Sequence, residues 1–297
     1  MKNAICVLAN NIEYFNLFIQ NYPKELKTSD FTLIVVNETR IGDKTEDIKR
    51  ILAESDIPNY KVFTSRKICD EFKKKIIDNE FVEDYTMSMN ILSLWFIKRH
   101  NRTIKKVLLL DDDVILRSGI AKLFETDHHL FKSNRLSAGM AEFEDQSRNA
   151  KNIYYEWFRI FNVKFSQEWW KEKYLKKYAN SGQRLIVLDK LDLSRYEEKL
   201  KKFFESEIFF AAWCERNTHV SWYFDERFET FFFFDDLNND LKDCTYLVLS
   251  KREKLTDASI RKMLCSSIIH NATNSHKRSV YNFMIENGVI EGEILND

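Results

Sequence analysis

Short apolar runs and amphipathic stretches take turns along the first third of the chain. Ala4–Ala9 is continuously apolar, the pattern of a strand buried on both faces. The polar pair Asn10-Asn11 closes it, and Phe15, Phe18 and Tyr22 then fall at helical spacing within Ile12–Tyr22. Phe31–Val36 is a second, β-branched run, ended by Asn37-Glu38. Lys44–Ala53 reads as a helix, Tyr60–Phe63 as a short third strand and Lys67–Asn79 as a charged helix. Met87, Ile91, Leu94 and Trp95 share one face of a helix over Tyr85–His100, and Lys106–Leu110 is the fourth strand. This alternation predicts an α/β chain with a mostly parallel sheet and helices on both faces. Ligands of such sheets sit beyond the carboxyl ends of the strands. Two polar features occupy those ends: Asn10-Asn11, and Asp111-Asp112-Asp113.

Further along, Lys151–Tyr178 is aromatic and charged, the pattern of two helices whose rings mainly pack a core. Arg184–Leu188, Val220–Phe224, Tyr246–Leu249 and Ser266–His270 read as strands, and Leu191–Asn217 and Ser275–Glu286 as helices. The length, 297 residues, suits one large domain, alone or with a small appendage. With 44% hydrophobic and 31% charged residues the chain can bury a sizeable core, which excludes wholesale disorder. Six Gly and two Pro exclude collagen-like and linker-like readings. The 46 Lys and Arg equal the 46 Asp and Glu, which disfavours a polyanion binder driven by bulk charge and leaves a local basic patch open. Five scattered Cys without a C-x-x-C pair form neither a disulfide framework nor a zinc knuckle, and read as buried thiols in a reducing compartment. No apolar run is long enough for a membrane span, and the first is too short for a signal-peptide core. The expectation is a soluble, cytoplasmic protein.

The sharpest chemistry lies in Val107–Leu116, where three adjacent carboxylates follow a buried strand. Such acids repel one another unless a cation, a positive side chain or solvent compensates. In an extended chain Asp111 and Asp113 point to one side and can hold a hard divalent ion; a solvated acidic turn is the competing reading. Asn180-Ser181-Gly182 precedes the strand at Leu185. Its Gly permits close backbone approach, and its Asn and Ser offer neutral hydrogen bonds to a polyhydroxylic ligand, though an ordinary turn has the same composition. Lastly, His270 ends an apolar strand, and Lys277-Arg278 stand where a helix begins. The helix start and the two cations favour a phosphate, and His270 is a candidate nitrogen ligand for a borderline ion such as manganese.

Taken in this order, the acidic strand end, the N-S-G turn and the late His with a downstream Lys resemble the GT-A fold glycosyltransferases. The glycogenin and galactosyltransferase group of retaining enzymes is the nearest in pattern, over about Ala4–Met284. The late segment departs from that group's H-[FY]-x-G-x-x-K-P-W: Asn271-Ala272-Thr273 replaces the aromatic-x-Gly, no Trp follows, and Lys277 comes one place late. The resemblance implies a Rossmann-like single GT-A domain over 1–297. Residues 1–118 would form the nucleotide-binding half. Residues 119–297 would form the acceptor half, with a helical, aromatic insertion and a C-terminal metal and phosphate segment.

By the same resemblance, Asp111, Asp113 and His270 would hold Mn2+ or Mg2+ against the donor diphosphate, and Lys277 would reach the phosphates. Asp112 would face the donor sugar or its ribose, and Asn180, Ser181 and Gly182 would line the sugar pocket. Leu8, Ala9, Asn10 and Tyr14 match the nucleotide-binding segment, with Val36 and Asn37 near the base. Glu207 is the candidate acid beside the reacting sugar, although Glu205 and Glu207 equally suit a helix start, and Asp225 or Glu226 falls near the acceptor side. The implied activity is metal-dependent transfer from a nucleotide sugar, with UDP as the expected nucleotide, to an acceptor hydroxyl with retention. The acceptor stays open among a glycan, a lipid-linked sugar, a protein and a modified DNA base. Two rival readings also stay open. One is a degenerate GT-A domain that binds nucleotide or glycan without turnover. The other is a phosphoryl-transfer enzyme built on the acids, for which no G-x-x-x-x-G-K-[ST] loop occurs.

Overall fold

The computed structural model describes residues 2–39, 42–78, 88–131, 183–205, 237–238, 246–249, 254–273 and 276–296. The expectations for 151–178, Asn180, Ser181, Gly182, Glu207, 220–224, Asp225 and Glu226 lie outside these residues.

The strands expected in the first third all form: β1 (Lys2–Ala9), β2 (Phe31–Asn37), β3 (Tyr60–Thr64) and β4 (Ile104–Asp111). β1 pairs in parallel with both β2 and β4, and β2 with β3. The helices that connect parallel strands cover both faces of the central strands, which is why Ala4–Ala9 and Leu33–Val36 are apolar runs rather than alternations and all of β2 is buried. Three further strands complete this sheet: β6 (His129–Phe131), β7 (Gln183–Val187) and β8 (Leu237–Asn238). The order is β3-β2-β1-β4-β7-β6-β8, with β7 antiparallel to both β4 and β6. The sheet is thus mixed and mostly parallel.

Helix α1 (Ile12–Gln20) starts where the Asn11 side chain accepts from the backbone N–H groups of Glu13 and Tyr14, at 2.8 and 3.2 Å. It ends before Tyr22, whose ring still packs edge-on against Phe18 at 5.8 Å. Next come α2 (Thr45–Glu54), α3 (Ser65–Lys75) and α4 (Ser88–His100). α3 begins two residues before Lys67 because the Thr64 hydroxyl caps it. In α4, Trp95 is fully buried against Phe72 and donates its ring N–H to Glu197 on α5 (Leu193–Phe204) at 2.8 Å.

After β4 the chain leaves the large sheet. β5 (Val114–Leu116) joins a second sheet of order β5-β10-β9, built from β9 (Tyr246–Leu249) and β10 (Ile268–Asn271). β10 runs antiparallel to β5 and parallel to β9. Helix α6 (Asp257–Leu264), not expected from the sequence, lies between β9 and β10 in chain order. Helix α7 (Lys277–Glu286) follows, and the tail folds back onto α1. Asn21 exchanges two hydrogen bonds with Glu291 at 2.8 and 2.9 Å, and Arg117 holds the Val289 carbonyl at 2.7 Å. Gly292 permits this return: its φ is +155°, and a Cβ there would stand 2.4 Å from Leu17.

Cys6 and Cys69 are buried thiols and Cys265 an exposed one; burial pushes the Cys6 thiol up to about 12. Among the described residues no helix is long and apolar enough to cross a membrane.

Candidate functional site

Register brings the strand ends level. Ala9 pairs with Asn37, Leu8 with Asp111, and His270 with Val114, the residue after the acids. Asp111 ends β4, and Asp112-Asp113 form a turn before β5. The three acids therefore do not follow extended spacing, and each meets different surroundings.

Asp112 turns toward β1. Its Oδ2 accepts from the backbone N–H groups of both Asn10 and Asn11, each at 2.5 Å, which anchors the loop between β1 and α1. Burial pushes this carboxyl up to about 7 against the pull of those two N–H groups. Lys44 donates to the Asn10 carbonyl from the other side. Asn10 and Asn11 are thus fixed by their backbones, and the Asn11 side chain is committed to capping α1. Tyr14, one turn into α1, packs its ring on Tyr281 of α7 at 5.0 Å.

Asp113 turns toward the second sheet. Its backbone carbonyl accepts from Asn271 at 2.9 Å. Its Oδ2 accepts from the Lys277 ammonium at 2.5 Å, and its Oδ1 stands 3.3 Å from His270 Nε2. Burial alone would raise this carboxyl, but His270 and Lys277 outweigh it and hold Asp113 below the ordinary aspartate value. Loss of hydration first, and the Asp113 charge second, push half-buried Asp111 the other way. Burial pulls Lys277 down, and the Asp113 carboxylate more than offsets it, so the ammonium stays charged. Asp113 Oδ1 is buried and closes no hydrogen bond among the described residues.

Sequence reasoning missed three residues here. The Tyr246 hydroxyl lies 3.3 Å from His270 Nδ1, reaching diagonally from β9. Asn271 Nδ2 donates to the Lys277 carbonyl at 3.0 Å, while its Oδ1 accepts from Thr273 at 2.6 Å, which ties β10 to the start of α7. The Asn-x-Thr spacing after His270 was the available signal. Arg278, by contrast, points to Glu13 at 2.8 Å, away from the acids. At the end of β2, fully buried Asn37 donates to Asp43 and Thr45 at 2.8 and 2.9 Å. Its Oδ1 has no partner among the described residues.

A divalent ion can be tested against these groups. Asp113 Oδ1 and His270 Nε2 are a buried oxygen and nitrogen facing one another, a mixed donor pair that suits a borderline ion such as manganese better than magnesium. Among the described residues no three His, Cys, Asp or Glu side chains already stand at mutual ligand spacing. Asp111 is accordingly not a preset third ligand to that pair.

No protein-family model and no curated protein sequence matches the chain. Solved structures do. The WbbM bifunctional glycosyltransferase is similar over 91% of this chain, at 11% identity and a TM-score of 0.53; the chain spans 46% of WbbM. The galactosyltransferase LgtC, solved with donor and acceptor sugar analogues, is 14% identical at a TM-score of 0.48, over 98% of this chain and 97% of that one. Mouse xyloside xylosyltransferase 1 is 13% identical at a TM-score of 0.49, over 92% and 98%. The resemblance drawn from the acids, the turn and the late His holds at the level of architecture: this chain has the GT-A fold of glycosyltransferases.

Proposed function

We propose that the chain is a metal-dependent glycosyltransferase that moves a sugar from a nucleotide sugar, with UDP as nucleotide, to an acceptor hydroxyl with retention. One observation carries this reading: a buried Asp113 oxygen without a hydrogen bond faces His270 Nε2 at 3.3 Å, at the carboxyl end of a GT-A sheet. Asp111, Asp113 and His270 are the residues that would hold Mn2+ or Mg2+. Such an ion neutralises charge on the departing diphosphate.

The chain's own groups then have separate tasks. Lys277 has three N–H donors and directs one to Asp113, which leaves donors for a phosphate oxygen. Asp112 holds the Asn10-Asn11 loop in place, so Leu8, Ala9, Asn10 and Tyr14 present a fixed edge to the nucleotide, with Asn37 beside them. Asn180, Ser181 and Gly182 line the sugar pocket in this proposal. Glu207 supplies the carboxylate that stabilises oxocarbenium character on the sugar.

The test pairs calorimetry with a donor-hydrolysis assay. Asp113→Ala is expected to abolish manganese-dependent UDP binding and to lower turnover by at least about 100-fold, the scale for losing one charge-stabilising group. Unchanged hydrolysis in that variant sinks the proposal. A thermal-shift screen of nucleotide sugars with manganese identifies the donor, since bound donor raises stability by mass action.

A second reading, a GT-A domain that binds nucleotide or glycan without turnover, has one observation in its favour. Lys277 occupies Asp113 Oδ2, just downstream of a segment that departs from the family pattern. Tight UDP–manganese binding with no turnover on any donor would favour it.

A further inference from the structure

Acids and bases are equal in number, 46 each, yet the bases are not spread evenly. At the sheet end opposite Asp111–Asp113, two adjoining cavities are rich in cations. One, of about 370 Å3, includes Lys2, Tyr60, Lys61, Asn101 and Thr103 in its walls. The other, of about 590 Å3, includes Lys75, Lys98, Arg99, His100 and Arg102. Ile104 lines both, so they meet across the turn between α4 and β4. Among the described residues neither wall contains an Asp or Glu.

Helix ends account for part of this charge. Lys75 lies in the last turn of α3, and Lys98, Arg99 and His100 in the last turn of α4, where positive side chains offset the helix dipole. Lys2, Lys61 and Arg102 lie outside both helices, and all three are exposed. Nearby acids neutralise some of the helical cations: Glu71 meets Lys75 and His100, and Glu197 meets Arg99, all at 2.6 Å.

The walls also carry groups that suit a sugar. Lys61 donates to Asn101 Oδ1. An ammonium cannot accept a hydrogen bond, so this contact fixes the amide's orientation and makes Nδ2 the free end. That nitrogen is buried and has no partner among the described residues. Tyr60, 40% exposed, presents a ring at the same edge.

We propose that this basic edge is a second binding site, for an anionic saccharide chain whose units carry carboxylate or phosphate. The cations meet the acidic groups, amides and hydroxyls meet the sugar hydroxyls, and the Tyr60 ring lies against a sugar face. Both volumes fall within the roughly 300–1,000 Å3 of small-molecule clefts. A duplex or a bilayer would bridge such concavities rather than fill them, and among the described residues neither wall holds an exposed large apolar side chain apart from Tyr60. The site is remote from the acids, so it stands apart from the donor reading and is read by binding rather than by turnover.

The full chain is titrated with oligogalacturonate as the carboxylate probe and poly(glycerol phosphate) as the phosphate probe. Neutral dextran, phosphatidylglycerol vesicles and duplex DNA run in parallel. At least one acidic saccharide is expected to bind, more weakly as salt rises. The double variant Lys2→Glu with Arg102→Glu should weaken that binding at least tenfold, and Tyr60→Ala about threefold, with thermal unfolding and UDP–manganese binding unchanged. Whichever acidic polymer binds identifies the source of the charge. The proposal is overturned if neither acidic saccharide binds, if dextran binds equally well, if the double variant binds as the parent does, or if binding is confined to vesicles or DNA. Absence of UDP–manganese binding in the parent would count against the donor reading and not against this site.

Discussion

At the carboxyl ends of β1, β2 and β4, Asp112 and Asp113 are 5% and 7% exposed, whereas at the amino ends Lys2, Lys61 and Arg102 stand in solvent. The buried acids are held by backbone N–H groups, an imidazole and an ammonium drawn from distant parts of the chain. Of the exposed bases, Lys2 and Lys61 sit on the starts of β1 and β3 and Arg102 on the turn before β4. Charge out of water needs specific partners, and its perturbation is expensive; charge in water is screened and adjustable. The comparison places buried, specifically partnered charge at one end of the sheet and solvent-screened charge at the other.

The contrast fails first at Asp112 if it is wrong. Asp112→Ala removes the acceptor for two backbone N–H groups and is expected to cost about 2–3 kcal/mol in urea unfolding with EDTA present. Asp112→Asn, which keeps an acceptor oxygen, should recover about half of that. A loss below about 0.5 kcal/mol in the Ala variant would mean the loop does not depend on it. Asn11→Ala, at the same end, removes only a helix cap and should cost about 1 kcal/mol in the same assay.

The smallest effect belongs to the basic end. Burial alone would raise the Glu71 carboxyl, but Lys75 and His100 outweigh it and hold it below the ordinary 4.5. The folded chain therefore takes up a proton there less readily than the unfolded chain. The resulting stabilisation is complete above pH 4.5 and is lost as pH falls through the lower, folded value. Glu71→Gln should cost less than about 1 kcal/mol at pH 7, and parent and variant should converge in acid, as read by thermal unfolding across pH. A cost above 2 kcal/mol would place Glu71 with the buried acids and blur the distinction between the two ends.

Much of this was legible in the chain. Apolar runs of the kind in Ala4–Ala9 and Phe31–Val36 have few explanations besides strands covered on both faces, so the parallel core could be read directly. The acids were conspicuous because three charges follow four apolar residues. What each acid does was not legible. Extended spacing suggested that Asp111 and Asp113 share a side, but the strand stops at Asp111, and the turn sends Asp112 to β1 and Asp113 to β10. That division depends on long-range register, which no local pattern encodes. Helix α6 escaped notice because, of its apolar residues, only Met263 is buried, so no buried stripe marks it. Tyr246 escaped because its role exists only through the pairing of β9 with β10. The basic edge was hidden by a net charge of zero, since totals carry no information about segregation.

The pairing of β5 with β10 also sets a timetable. Asp113 and Lys277 are 164 positions apart, so a chain emerging from a ribosome presents its acids long before the cation that neutralises them. Contacts of such sequence separation are slow to close, because a large loop must be ordered before they form. The first four strands can associate early, while the acidic turn waits, wet and repulsive, for β10 and α7 to arrive. On the proposed function, competence at this centre is a late product of folding, and a nascent chain halted ahead of His270 would carry the acids without the imidazole and ammonium that flank Asp113.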